Sequence, residues 1–211
     1  MKTVVINASP RRKWSTAEIM KEAAKGAESA GAEVEYIDLY KMDIHGCMSC
    51  LICKKADKEP CKCYWRDDLQ PVIERILDAD CLLIGSPIYF GEPTSHYRAL
   101  LERLIFCILS YDGFGSYFEG KINVGLFFTM NAPKEYYENM MADYIESSNK
   151  VFGMLNGEVK IYPVLNTLQV KDYSKYRMAA FDENAKREYR EKQFPNDLEN
   201  AFKIGAELSR K

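Results

Sequence analysis

Five short runs rich in apolar and β-branched residues punctuate the chain, at Val4–Ile6, Val34–Leu39, Cys81–Ile84, Ile122–Phe128 and Val159–Leu165. Their length and composition predict strands. The stretches between them repeat apolar residues at helical spacing. Ala17 to Ala30 runs up to Gly31, a helix-stopping residue, and Asp67 to Asp78 opens on an acidic pair that complements a helix N-terminus. Thr94 to Leu109 gathers Leu100, Leu101, Leu104, Ile105 and Ile108 on one stripe, an ordinary way to bury one face in a core or a dimer interface. Glu135 to Met154 and Asn196 to Leu208 complete the series. Strands alternating with helices imply βαβ units, right-handed crossovers and a parallel sheet. The expected architecture is α/β, a doubly wound, five-stranded parallel sheet in order 2-1-3-4-5 with helices on both faces. Ligands of such sheets bind at the carboxyl ends of the strands.

Two segments break the alternation. Residues 46–65 hold five of the seven cysteines and read as an insertion, and residues 171–195, rich in Tyr, Lys, Arg and Glu, read as an excursion over the surface. Both are taken as parts of a single domain covering 1–211, since a chain of this length buries one ample core without needing a second. A net charge of -2 gives no broad field to attract nucleic acid or an anionic membrane. The longest apolar stretch, Leu100–Leu109, is interrupted by Glu102 and Arg103 and is too short to span a bilayer. Because strand pattern begins at the first residues, no signal peptide is expected and the chain reads as cytoplasmic. In that compartment clustered cysteines point to metal or redox chemistry rather than to disulfides.

The first strand breaks into Asn7-Ala-Ser-Pro-Arg-Arg-Lys-Trp-Ser-Thr before a helix. A helix N-terminus offers unpaired backbone N–H groups and a positive dipole end, both suited to a phosphate. Ser9, Ser15 and Thr16 add hydroxyls, and Arg11, Arg12 and Lys13 add charge. The loop has no glycine, so it is neither the dinucleotide fingerprint nor the Walker loop. A phosphomonoester held by hydroxyls is the expected ligand, although Ser15 and Thr16 alone also read as a plain N-cap.

The loop after the third strand reads Gly85-Ser-Pro-Ile-Tyr-Phe-Gly-Glu-Pro-Thr-Ser. Asn7-Ala-Ser-Pro-Arg together with Ser86-Pro-Ile-Tyr-Phe-Gly91 resembles the NADPH-dependent FMN reductase and iron–sulfur flavoprotein group of the flavodoxin-like superfamily. Gly46-Cys-Met-Ser-Cys50, Asp67-Asp68 and Phe194-Pro-Asn-Asp-Leu198 extend the resemblance over most of the chain. It implies a flavodoxin-like fold, bound FMN and electron transfer from NAD(P)H through the flavin to a small-molecule or protein acceptor. By position in the family motif, Ser9, Arg11, Ser15 and Thr16 would hold the FMN phosphate. Pro87, Ile88, Tyr89, Phe90 and Gly91 would wall the isoalloxazine, with Tyr89 or Phe90 stacking on or edging the ring. The loop after the fourth strand, with Thr129 and Asn131, would form a third wall, though it departs from the Gly-rich version of many relatives. The nicotinamide would stack on the flavin and need no motif of its own. No catalytic acid or base is named, because the cofactor carries the chemistry. A homodimer or homotetramer is implied, since sites of this kind are often completed across an interface.

Cys47, Cys50 and Cys53 follow a C-x2-C-x2-C spacing, with Cys61 after seven intervening residues and Cys63 just beyond. Three thiolates so spaced can wrap one corner of a cubane cluster, and a downstream thiolate closes it. The arrangement resembles the iron–sulfur flavoproteins, implying a [4Fe–4S] cluster on Cys47, Cys50, Cys53 and Cys61, with Cys63 as the alternate. Metal-free thiols and structural zinc use the same residues and stay open. Cys81 and Cys107 lie on apolar elements and read as buried small hydrophobes. His45 reads as a polar turn residue and His96 as exposed. The expected function is an FMN reductase-like oxidoreductase; the alternatives are an iron–sulfur flavoprotein exchanging single electrons with a ferredoxin-like partner, and a flavin-binding redox module without turnover.

Overall fold

The computed structural model describes residues 1–113 and 115–210. Six strands form, β1 (Lys2–Asn7), β2 (Glu33–Asp38), β3 (Cys81–Tyr89), β4 (Glu92–Pro93), β5 (Ile122–Thr129) and β6 (Asn156–Val164). Around them stand α1 (Ser15–Ser29), α2 (Leu69–Leu77), α3 (Ser95–Ile108), α4 (Lys134–Met140), α5 (Ala142–Asn149), α6 (Glu183–Lys192) and α7 (Phe194–Leu208). The five long strands are parallel in order β2-β1-β3-β5-β6, the expected doubly wound order once the two-residue β4 is set aside.

Both faces of the sheet are buried, and the side-chain period of two sorts residues between them. Val4, Ile6, Leu82, Ile84, Val124, Leu126 and Phe128 join the core beneath α2 and α3. Val5, Cys81, Leu83 and Phe127 join the core beneath α1 and α7. Register aligns these rows, with Ile6 opposite Ile84 and Ile84 opposite Leu126. Helices α1 and α7 cross at backbone contact, since a Cβ on Gly26 would sit 2.0 Å from the Phe202 carbonyl oxygen and one on Gly205 2.0 Å from that of Ala23.

Three expectations change. Glu135 to Met154 is not one helix, because the chain leaves helical geometry at Met141 and again beyond Asn149, where a 3-10 stretch covers Lys150–Leu155. Met141, Ile145, Phe152 and Leu155 are all buried in the core. The segment after the third strand is not a loop: β3 continues to Tyr89 and folds back antiparallel onto β4. Phe90 and Gly91 make that turn with φ of 53 and 85, the doubly left-handed geometry of a tight hairpin. Finally, residues 183–192 form α6, whose Lys186 is buried. No helix among the described residues is long and apolar enough to cross a membrane.

Candidate functional site

The carboxyl ends of β1, β3 and β5 meet at one edge of the sheet. Helix α1 begins there without a side-chain cap: Trp14, its N-cap residue, is extended and offers no oxygen to the first-turn N–H groups. Ser9, Ser15 and Thr16 are all buried beside this helix end. Ser9 donates its N–H to the Asn7 side chain at 3.2 Å, and its hydroxyl accepts from the Arg11 N–H at 3.2 Å. The Arg11 guanidinium lies 4.4 Å from the Trp14 ring centre, and the Trp14 indole donates to the Leu168 carbonyl at 2.8 Å. A cavity of about 550 Å³ opens alongside, lined by Arg11, Arg12, Lys13 and Lys41 among others. With Lys21, five cations against the single carboxylate of Asp38 give it a positive field.

The hairpin of β3 and β4 stands next to this loop. Burial pushes the Tyr89 phenol upward and the positive Arg11 opposes that shift, so the two loops face each other electrostatically. Their tie is Thr94, buried at the start of α3. Its hydroxyl donates to the Ala8 carbonyl at 2.8 Å and accepts from the Tyr97 N–H at 3.4 Å, while its own N–H donates to the Ser86 hydroxyl at 3.0 Å. One side chain thus caps α3 and fixes the phosphate loop to the hairpin. Pro87 and Ile88 are half-buried, Tyr89 is exposed, and Phe90 projects fully into solvent at the hairpin tip. His96 is not exposed as expected; it stacks on Tyr40 at 3.8 Å, and burial lowers its pKa.

From β5, Thr129 turns inward. Its hydroxyl meets that of Thr16 at 2.7 Å, both groups buried, so this pair braces α1 against the sheet. Asn131 follows at the start of the next loop. Its carbonyl and the Asn166 side chain receive the buried ammonium of Lys186. The structure therefore brings Ser9, Arg11, Ser15 and Thr16 together at one helix end and sets the hairpin beside them. Thr94, Trp14 and Lys186 carry contacts that sequence reasoning missed; only Thr94, a hydroxyl residue at a helix start, had a local signal.

The cysteine segment lies against α3. Cys47, Cys50, Cys53 and Cys63, together with Cys107 of α3, line one narrow cavity of about 20 Å³, and Cys61 is not among its walls. Burial pushes the Cys53 thiol upward against the charge of Lys54, and Cys63, Cys50 and Cys47 are the next groups it senses. Cys61 is pushed up by burial and opposed by Lys54 too, but its other charged neighbour is Glu119. Arg103, buried on α3, donates from Nε to the Cys63 sulfur at 3.3 Å, from Nη1 to the Asp67 carboxylate at 2.5 Å and to the His45 carbonyl, and from Nη2 to the Trp65 carbonyl. Burial alone would raise the Asp67 carboxyl, but Arg103 and the His45 and Leu69 N–H groups hold it below the usual carboxylate range. Asp67 therefore does more than complement a helix dipole: it receives the Leu69 N–H at 3.0 Å and anchors the cysteine segment. Among the described residues, no three Cys, His, Asp or Glu side chains converge as for a bound metal ion.

The sequence profile of the NADPH-dependent FMN reductase family matches residues 1–132, which span the phosphate loop, the cysteine segment and the hairpin. The chain belongs to this family. Curated relatives include the iron–sulfur flavoprotein MJ1083 of Methanocaldococcus jannaschii, 32% identical over 103 residues, covering 49% of this chain and 51% of that protein. An iron–sulfur flavoprotein of Archaeoglobus fulgidus is 34% identical over 103 residues, covering 49% of this chain and 48% of that protein. The chain thus spans about half the length of the curated relatives it matches. Among solved structures, an NAD(P)H:quinone oxidoreductase from Methanothermobacter marburgensis superposes with a TM-score of 0.72 at 18% identity, covering 100% of this chain and 98% of that one. An azoreductase from Bacillus anthracis gives 0.64 at 14% identity, covering 98% of this chain and 99% of that one. These likenesses establish the flavodoxin-like fold.

For a member of the FMN reductase family, the test of fit to FMN is chemical. An uncapped helix end, buried hydroxyls and a cluster of cations suit a phosphate, and the hairpin offers backbone and aromatic surface beside it. Five cysteines gather around the other cavity, but among the described residues no three of them converge as for a metal, and that cavity holds no more than a water and must widen to admit a cluster.

Proposed function

We propose that this chain binds FMN at the carboxyl edge of β1, β3 and β5 and acts as an NAD(P)H-dependent oxidoreductase. The observation that carries this reading is the uncapped start of α1, ringed by Ser9, Ser15 and Thr16 and tied through Thr94 to the hairpin. Ser9, Ser15 and the first-turn N–H groups would hold the phosphate, Arg11 would neutralise it, and Thr16 would brace the helix through Thr129. Pro87 to Gly91 would lie along the ring, with Tyr89 and Phe90 supplying aromatic surface. FMN held there would supply hydride acceptance from a nicotinamide and electron donation to an acceptor, while the chain supplies placement, charge and access. Phe90, fully exposed at the hairpin tip, supports a site completed by a second copy in a homodimer or homotetramer. Seven free cysteines support work in the reducing cytoplasm.

The test is the double variant Arg11→Ala, Ser15→Ala. Each lost contact to a doubly charged phosphate is worth about 1.5–3 kcal/mol, so the purified variant is expected without flavin absorbance and with an unchanged circular dichroism spectrum. Flavin retained at the wild-type level would overturn the assignment. Oxidation of NAD(P)H with a quinone or ferricyanide acceptor separates the enzyme from a flavin-binding module without turnover.

A second reading, a [4Fe–4S] group beside the flavin, rests on the four thiols that the cysteine segment brings to one cavity, where Cys107 of α3 is a fifth, and on backbone strain. Ser49, Leu51 and Cys61 all hold left-handed φ within this segment, a conformation kept where the surroundings demand it. The cavity favours Cys63 over Cys61 as the thiol that joins Cys47, Cys50 and Cys53. Iron and sulfide assayed after anaerobic purification decide the matter: both present supports a cluster, neither present removes it. In the first case Cys63→Ser is expected to lose iron and Cys61→Ser to keep it.

A further inference from the structure

We infer that the cavity between the loop after β5 and the start of α6 binds an aromatic monocarboxylate, its anionic group held by Lys186 and Asn131. The cavity measures about 600 Å³, within the range of small-molecule sites, and is lined by Asn131, Pro133, Tyr136, Asn166, Phe181 and Lys186 together with Asp182. Of the residues expected to border the flavin only Asn131 lines it, and no phosphate-loop or hairpin residue does, so the inference goes beyond the flavin reading.

Two donors at this cavity lack what their burial demands. Lys186 is only 5% exposed, yet its ammonium meets no carboxylate within 4.0 Å among the described residues. It donates to two neutral acceptors, the Asn131 carbonyl and the Asn166 side-chain oxygen, the latter at 2.6 Å, and has a third proton to give. Burial pushes its pKa down to about 8, the mark of a cation without a counter-charge. The Asn131 side-chain nitrogen is also buried and has no partner. Buried donors are almost always paired, and a buried charge is almost always matched. A carboxylate supplies two acceptor oxygens and one negative charge, which satisfies both groups at once.

The rest of the lining selects the body of the ligand. Phe181 lies 5.9 Å from the Lys186 ammonium, and Tyr136 adds a second exposed ring, so a planar apolar body is favoured. Asp182 also borders the cavity, with one oxygen engaged by the Ala185 N–H at 3.1 Å. Its negative charge works against a second anionic group, which favours a monocarboxylate over a phosphate.

Calorimetric titration of the protein as purified with 2-naphthoate, and separately with the neutral near-isostere 2-naphthamide, tests the site. Naphthoate is expected to bind at least tenfold more tightly, and Lys186→Gln to abolish that preference while the circular dichroism spectrum is kept. Phe181→Ala, at an exposed position that the fold tolerates, is expected to weaken both probes several-fold. This second variant decides the matter if Lys186→Gln does not fold. Absence of saturable naphthoate binding, equal binding of the amide, a preference that survives in folded Lys186→Gln, or wild-type affinity in Phe181→Ala would each overturn the inference.

Discussion

At the scale of single residues, Thr94 links more of the molecule than its size suggests. Its hydroxyl spans 86 positions of sequence to the Ala8 carbonyl and also caps α3. Thr94→Val keeps the shape but removes both functions. Loss of an N-cap costs about 1 kcal/mol, and a buried carbonyl left unpaired adds about 1–3 kcal/mol. We therefore expect a drop of roughly 2–4 kcal/mol in urea denaturation, together with weaker FMN binding, because the phosphate loop loses its tie to the hairpin. Thr94→Ser retains the hydroxyl and is expected near wild type. If the valine variant matched the serine variant in both measurements, Thr94 would be a packing residue only.

At the scale of elements, the crossing of α1 and α7 depends on two glycines. Replacing a helical glycine by alanine normally favours the helix by about 1 kcal/mol. At Gly26 the added Cβ would meet the Phe202 backbone 2.0 Å away, and a backbone cannot swing aside as a side chain can. Overpacking of this kind costs about 1–3 kcal/mol or more, so the clash wins and Gly26→Ala is expected to melt at lower temperature. Gly153→Ala, where no atom lies within 4 Å of the new Cβ, serves as the control and is expected to melt near wild type. Equal melting of the two would show that the helices can part without penalty. The strands, α1, α2, α3 and α7 were legible in the sequence because each carries its own apolar run or period, and Gly31 also marks where α1 stops. The hairpin was not, since Pro87 and Gly91 read as a loop and a phenylalanine rarely takes the left-handed turn position that Phe90 occupies. In the site, the hydroxyls and cations of the first loop were legible because they are contiguous. The pairs Thr94 with Ala8 and Lys186 with Asn131 join distant segments, and no local pattern announces them.

At the scale of the whole molecule, one doubly buried sheet carries a poorly regular cysteine segment on the side of α3. Arg103 makes four of the hydrogen bonds that hold that segment, reaching its start at His45, its interior at Cys63 and its end at Trp65 and Asp67. The Lys54 ammonium adds a second anchor by donating to carbonyls at the end of α3. Arg103→Met fills the same space with an apolar chain and strands the Asp67 carboxylate. Breaking a buried pair on one side costs about 3–5 kcal/mol. Where that cost appears depends on cooperativity. The sheet core buries Ile6, Ile84 and Leu126 in a register that does not involve the segment, whereas the segment has only one short 3-10 turn of its own, Ile52–Lys54. The loss should therefore be local. In Arg103→Met, limited proteolysis is expected to cut within residues 43–66, while amides of β1, β3 and β5 keep their hydrogen-exchange protection. Protection lost evenly across the sheet would mean instead that the cysteine segment and the flavodoxin-like core fold as one unit.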